Sequence, residues 1–413
     1  MGNDKERLSP PKPEILAPAG DFEKLQVAIA YGADAVYIGG KQFSLRANTK
    51  NFDDAELRAA IEYAHAHNVR VYVATNIFAH NADITGLEAY FQYLKDMGAD
   101  AVIVADLGVF DIARKIDGLE IHISTQANIT NYQTAGMYKS LGAKRVILAR
   151  ELTFHEIKEI NDRVADESFQ TEAFAHGAMC VSYSGRCLLS SYMTGRDSNK
   201  GDCAQPCRWN YHLMEEQRPG EYLPVYENER GTYIMNSKDL CLIKHIPELV
   251  ASGVSSLKIE GRMKSAYYVA VATSIYRQAI DDYFMSEALY FSKLDYYLEE
   301  LKKTSHRDFF TGFFLDENGQ GQTYETNTYT STHEFLGLVI DYDLSTGCAI
   351  VEQRNKFSVG DEVEFMKSGL KQTLNEMKNE KGQQINAAPH AQERICIKVD
   401  APVTKFDIMR KKY

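Results

Sequence analysis

Residues 14–40 read EILAPAG, then DFEKLQVAIAYGAD, then AVYIGG. A short apolar run stops at a glycine, an amphipathic stretch follows, and a second apolar run stops at two more glycines, which is the pattern of a strand, a helix and a second strand. The same alternation continues through RVYVATN (70–76), AVIVAD (101–106), EIHISTQ (120–126), RVILAR (145–150), TEAFAHG (171–177) and SLKIEG (256–261). That makes eight strand candidates. The first six succeed one another at the spacing of βα units, which predicts a parallel sheet, and eight such units close most naturally into a TIM-type (β/α)8 barrel, with a doubly wound open sheet as the alternative. Between the strands, stretches such as NFDDAELRAAIEYAHAHNV (51–69) carry acidic residues in the first turn and apolar residues at helical spacing.

The interval between the seventh and eighth strands is abnormally long. It holds four clustered cysteines, a hairpin candidate around YLPVYENERGTYIMN (222–236) and a helix candidate in SKDLCLIKHIPELVASG (237–253), with Cys241 expected on the apolar face of that helix. In a barrel, function sits in the loops at the carboxyl ends of the strands, and the cysteine loop is one of these. The organisation expected is an N-terminal tail over 1–13, the barrel over 14–285 with an inserted cysteine-rich loop at 180–208, a helical connector over 286–330, and a small all-β barrel domain over 331–413. That last segment balances 12 Lys and Arg against 12 Asp and Glu and ends in the basic MRKKY, so it could meet RNA or simply pack. Cys348 and Cys396 fall in its strand patterns and read as core filler.

Composition limits the functional classes. The chain has 413 residues, 44% of them hydrophobic, and a formal charge of -11, which argues against a generic nucleic-acid coat while leaving room for a local basic face. No run reaches the ~18 apolar residues a membrane helix needs, and MGNDKERLSPPKPE lacks the apolar centre of a signal peptide, so a soluble cytoplasmic protein is expected. Seven cysteines is an odd number for a disulfide framework; closely spaced thiols in a reducing compartment more often bind metal.

Cys180, Cys187, Cys203 and Cys207 form C-x6-C followed by C-x3-C. Four thiolates are a full ligand set for a 4Fe-4S cluster and equally for structural zinc. The six residues between the first two exceed the two to four of a zinc knuckle, which leans towards the cluster.

Other polar residues stand near the predicted strand ends. Glu172 and His176 are four apart in one strand and are expected to share a face, as are Lys258 and Glu260 in another. A buried Glu172–Lys258 pair would be either structural or an acid/base site, and His176 either a satisfied core histidine or a proton donor beside the cysteine loop. Asn76, Gln126 and Arg150 terminate their strands at the same mouth, where amides and a guanidinium can hold a base edge or a carboxylate. Arg186, Arg196, Lys200, Arg208 and Trp209 surround the cysteines and would form a basic, stacking surface suited to single-stranded RNA.

The stretch EAFAHGAMCVSYSGRCLLS (172–190) resembles the signature of the U32 peptidase family, with Glu172, Phe174, Gly177, Cys180, Gly185, Cys187 and Ser190 at the matching places. ILAPAG, GADAVYIGG, STQANITN, RDSNKGDCAQPCRW and SLKIEGRMKS are similar to that family too. The family name implies proteolysis, collagenase-like in some members, yet neither an H-E-x-x-H helix nor a G-x-S-x-G elbow is present. In length and plan the chain is most similar to the prephenate-dependent tRNA uridine hydroxylase branch. That resemblance implies an oxygen-independent C5 hydroxylation of wobble uridine, a 4Fe-4S cluster on Cys180, Cys187, Cys203 and Cys207, the tRNA anticodon loop as partner, and prephenate as a small dicarboxylate co-substrate. Arg150 and Arg262, with Arg46 behind them, are the arginines expected to take the carboxylates, and homo- or hetero-oligomers are within the family's range. A noncatalytic, cluster-bearing RNA-binding protein is the remaining reading.

Overall fold

The computed structural model describes residues 11–41, 43–44, 51–179, 189–196, 203–206, 227–228, 231–232, 238–315 and 330–413. Seven strands pair in parallel and in chain order: β1 (Glu14–Pro18), β2 (Ala35–Ile38), β3 (Arg70–Ala74), β4 (Ala101–Val104), β5 (Glu120–Ile123), β6 (Arg145–Ile147) and β7 (Gln170–Ala178). After a short antiparallel pair, β8 (Glu227–Asn228) with β9 (Gly231–Thr232), comes β10 (Asp239–Cys241), and then β11 (Ser256–Ile259). Strand β11 pairs in parallel with β7, Ser256 opposite Glu172, and with β1, Ser256 opposite Glu14. This closes an eight-stranded barrel built from the eight runs read in the sequence, and the hairpin candidate is present as β8 and β9.

Helices α1 (Phe22–Ala30), α2 (Asp54–Ala66), α3 (Asn81–Ile84), α4 (Leu87–Asp96), α5 (Leu107–Ala113), α6 (Tyr132–Ser140), α7 (Phe154–Val164), α8 (Leu189–Thr194), α9 (Ile246–Ala251) and α10 (Ala266–Met285) join the strands. Their starts are chemically marked. Asp53 accepts from the Glu56 amide while Glu56 accepts from the Asp53 amide, both at 3.0 Å, and Thr153 with Glu156 repeats the device at α7. Helix α10 is apolar on almost every side, with Val269, Ala270 and Val271 inaccessible, because it packs on β1 and α1 inside and on α11 (Glu287–Ser292) and α12 (Leu294–Leu301) outside. Each such valine or isoleucine contributes roughly 1.5–3 kcal/mol by leaving water.

The barrel sheet continues past β7: β10 lies antiparallel to it and β12 (Phe309–Phe310) parallel to β10. Beyond that lie β13 (His333–Asp343), β14 (Cys348–Gln353), β15 (Phe357–Ser358), β16 (Glu362–Phe365), β17 (Lys371–Thr373), β18 (Met377–Lys378), β19 (Ala387–Ala388), β20 (Arg394–Lys398) and β21 (Ile408–Lys412). Seven of them form one antiparallel sheet in the order β17-β16-β21-β13-β14-β20-β18, a half-barrel with its own apolar core around Leu336, Val351, Phe365 and Ile397.

Two expectations need correction. The SKDLCLIKHIPELVASG stretch is not one helix: Cys241 ends strand β10, and the helix is confined to Ile246–Ala251 after a 3-10 turn. Pairing with the end of β7 captures Asp239–Cys241, and Pro247 stands in the first turn of the shortened helix. The basic C-terminus, read as able to meet RNA or to pack, runs inside the sheet as β21 between β13 and β16, with Arg410 buried between Glu300 (2.7 Å) and Glu364 (3.0 Å). The second correction concerns His176. Phe174 faces Lys258 and His176 faces the very next residue of β11, Ile259, so Ala175 is an extra residue on β7, a β-bulge. The bulge turns His176 out of the barrel and away from the face of Glu172, onto Tyr268 and Tyr276 of α10 and Phe309, with ring centroids 5.5–5.9 Å away.

Candidate active site at the barrel mouth

The amino-terminal layer of the barrel is polar. Glu14 accepts from Arg145 (2.7 Å), Ser256 (2.9 Å) and Tyr72 (2.9 Å), and it also pairs with Arg70. Arg145 bonds in addition to Gln170 (2.6 Å) and to Glu172 (3.2 Å), whose other oxygen accepts from Lys258 (3.0 Å). Burial alone would raise the Glu14 carboxyl, but the Arg145 and Arg70 guanidiniums outweigh it and hold it below its ordinary value. His122, edge-on to Tyr72 and bonded to Glu120 at 3.0 Å, is pushed down by burial and stays neutral. Of the two readings of Glu172 with Lys258, this geometry favours the ion pair: Glu172 is inaccessible and both its oxygens are engaged. It positions Lys258.

Lys258 opens towards the mouth. Its ammonium sits 4.4 Å from the centre of the Tyr37 ring, and the Tyr37 hydroxyl donates onward to the Ile259 carbonyl (3.0 Å) and to Glu260 (3.2 Å), so Lys258 and Glu260 do share one face. Arg262 continues the line, 5.9 Å from the same ring and bonded to Ser44 at 3.1 Å. It is buried because two glycines admit it. A side chain at Gly39 would stand 2.3 Å from the guanidinium, and one at Gly20 would stand 2.0 Å from the Arg262 carbonyl. This side of the mouth, over β1, β2 and β11, is cationic and suits carboxylates.

The opposite side is built from amides. Asn76 donates to Gln126 at 2.9 Å, and the Ser124 hydroxyl stands beside both. Thr125 donates to the Leu148 carbonyl, and the Ala149 amide to the Ile129 carbonyl, each at 3.1 Å, which ties this rim to the end of β6. There Arg150 lies 5.2 Å from the Phe174 ring centre and donates to the Ala178 carbonyl at 3.0 Å. The structure thus gathers Asn76, Gln126, Arg150, Lys258, Glu260 and Arg262 around one opening and sets His176 outside it. His176 is held near a pKa of about 3, by burial first and then by Lys264 and His306.

Strand β7 delivers the chain to the cysteine loop through Gly177, whose φ of +113° and position 2.5 Å (as Cβ) from the Glu260 carbonyl admit no other residue. Cys180, Cys187 and Cys207 lie outside the described residues, as do Lys200, Arg46, Arg186, Arg208 and Trp209. Cys203 is half-buried, and its sulfur accepts the Gln205 amide at 3.3 Å; Gln205 adopts a φ of +57° and the Ala204 amide is anchored 2.9 Å from the buried Ser190 hydroxyl. An amide aimed at sulfur from a fixed turn fits a thiolate serving as a cluster ligand. Arg196 is exposed just after α8. Among the described residues no helix is long and apolar enough to cross a membrane.

The residues that sequence reading passed over are Glu14, Tyr37, Tyr72 and Arg145. Strand alternation carried the signal, because Arg145 and Ile147, like Tyr37 and Ala35, sit two apart on one face.

A closed parallel barrel with a two-sided polar mouth at the carboxyl ends of its strands defines a barrel enzyme scaffold. The chain belongs to peptidase family U32, whose model matches residues 20–324, and the model of the family's C-terminal domain matches residues 331–410. It is 41% identical to tRNA hydroxylation protein P1 of Bacillus subtilis, over 98% of this chain and 96% of that protein. It is 38% identical to tRNA hydroxylation protein P of Escherichia coli, over 92% of each. It is also 37% identical to the 23S rRNA 5-hydroxycytidine C2501 synthase of Escherichia coli, over 65% of this chain and 39% of that protein.

Proposed function

We propose that this protein is an RNA hydroxylase acting on tRNA, placing a hydroxyl on C5 of wobble uridine without molecular oxygen, with prephenate as the co-substrate. The observation that carries this reading is similarity along nearly the whole chain to two proteins named for tRNA hydroxylation. The mouth is chemically suited to the task. Arg262, assisted by Arg150 and the Lys258 ammonium, would take the carboxylates of the co-substrate, while Asn76 and Gln126 would hold the base. Glu260, bonded through Tyr37, is the carboxylate placed to accept or return a proton.

Cys180, Cys187, Cys203 and Cys207 would hold a 4Fe-4S cluster, which would supply one-electron transfer beside the mouth. Arg196 and Lys200 would bind phosphates of the anticodon loop, with Trp209 as a stacking surface. Such a protein works in the cytoplasm, alone or in an oligomer.

The test has two arms. Protein purified without oxygen is assayed for iron and acid-labile sulfide beside a variant with all four cysteines changed to serine, and tRNA from cells lacking the protein is digested and its nucleosides quantified. Loss of 5-hydroxyuridine and its derivatives from those cells, restored by the wild type and not by the serine variant, is the result expected. Unchanged nucleosides would overturn the reading.

A further inference from the structure

We propose that the carboxamides of Asn76 and Gln126 form the base-reading edge of the site and select uracil over cytosine, an inference that rests on the RNA-hydroxylase reading above. The two amides come from the carboxyl ends of β3 and β5 and are bonded to each other at 2.9 Å. Ser124 braces the pair: its hydroxyl accepts the Gln126 amide at 3.3 Å and lies 3.4 Å from the Asn76 nitrogen and 3.5 Å from the Gln126 side-chain oxygen. The rim that carries them is stitched to β6, so the pair is fixed before any ligand arrives.

This mutual bond uses one half of each amide and leaves the other half over. Asn76 Oδ1 is buried and has no donor, and among the described residues Gln126 Nε2 donates to no other group. On the same rim Asn128 Oδ1 is also buried without a donor, in a residue held at a φ of +53°. A buried acceptor left unmatched costs about 1–3 kcal/mol, so a rim with two of them favours a ligand that brings N–H groups.

An acceptor beside a donor is the complement of uracil, which presents N3–H next to a carbonyl oxygen. Cytosine presents the reverse in the same orientation, a bare N3 next to an amino group, and meets the pair only when turned over, which carries its C5 to the opposite side. Rotating both carboxamides would invert the pattern and read cytosine, so the direction of the Asn76–Gln126 bond sets the specificity. One relative is named for 5-hydroxycytidine synthesis, which makes cytosine the competing base to test.

The experiment compares the affinity of the full, anaerobically purified chain for two anticodon stem-loop RNAs that differ only in uridine or cytidine at the wobble position. A bidentate edge contact discriminates by roughly 1–3 kcal/mol, so the wild type should prefer the uridine RNA by about tenfold or more. Gln126→Glu keeps the bond from Asn76 and replaces the free donor by an acceptor; it should bring that preference within about twofold and leave affinity for the cytidine RNA nearly unchanged, because phosphate contacts persist. Gln126→Ala, which keeps no amide at all, should do the same, and thermal melts of both variants check that they are folded. Folded variants that retain the full uridine preference overturn the proposal, as does a wild type that binds both RNAs equally, which would leave the hydroxylase reading standing. A wild type that binds neither RNA overturns both.

Discussion

Replacing Arg145 by methionine tests whether the polar layer inside the barrel is a connected network. Arg145 is 1% exposed and bonds to Glu14, Glu172 and Gln170. Methionine fills much of the volume and supplies none of these donors, so two buried carboxylates lose a cation. Breaking a buried ion pair from one side costs about 3–5 kcal/mol. At roughly 2 °C per kcal/mol for a domain of this size, the melting midpoint should fall by about 6–10 °C. The deficit should also depend on pH. In the wild type the Glu14 carboxyl is held low, so its contribution is present above the ordinary carboxyl range and is lost only as pH falls through the depressed value. In the variant burial is opposed only by Arg70 and the Tyr72 and Ser256 hydroxyls, and the carboxyl rises; protonation then relieves the stranded charge, and the gap between the two proteins narrows as pH is lowered from 8 to 5. Adding Glu14→Gln to the variant should recover part of the loss at neutral pH. Melts followed by circular dichroism give each value, and a deficit below about 1 kcal/mol, or one that does not change with pH, would refute the network.

Gly177→Ala introduces a side chain 2.5 Å from the Glu260 carbonyl at a left-handed position, so it should cost about 2–4 kcal/mol in urea unfolding and lower iron incorporation during anaerobic reconstitution. Tyr276→Phe removes the hydroxyl that donates to the Ala175 carbonyl (2.7 Å) and accepts the Leu242 amide (3.1 Å); that amide and carbonyl keep their own bond of 2.9 Å, so urea unfolding should register only about 1 kcal/mol. His176 has a folded pKa pushed down to about 3, so the unfolded chain takes up the proton first and stability falls as pH drops below the ordinary histidine value of about 6.5. Between pH 7 and 5 that loss should be roughly 2 kcal/mol in the wild type and absent for this group in His176→Phe, measured as the difference between the two proteins' pH slopes.

The eight strands were legible because each is an apolar run closed by glycine or a polar turn, and the rim amides were legible because they stand at those closures. What escaped did so for physical reasons. The face of His176 depends on one extra residue, Ala175, whose carbonyl is satisfied by Tyr276 a hundred residues later, so local periodicity carries no trace of it. Arg145 opens the same strand whose end carries Arg150, and alternation places it on the inner face; its partners Glu14 and Glu172 come from distant strands, so nothing nearby announces a buried guanidinium. Ile408–Lys412 resembles a basic tail until β13 and β16 receive it, because its strand character comes from pairing and not from composition.

The interior network bears on the site above it. Barrel interiors are ordinarily filled by valine, isoleucine and leucine, and an apolar layer would avoid the desolvation that Glu14, Arg145, Glu172 and Lys258 incur. Their arrangement alternates in charge, anion to cation to anion to cation, from the amino-terminal layer up to Lys258, where Tyr37 takes over and carries the contact to Glu260. Each member is fixed by the one beneath it, so the ammonium and the carboxylate that face the mouth are aligned from inside the barrel and not by the loops around it. The loops around the opening can therefore rearrange without displacing Lys258 or Glu260. A hydrophobic interior would offer Lys258 no carboxylate to anchor its ammonium beneath the Tyr37 ring.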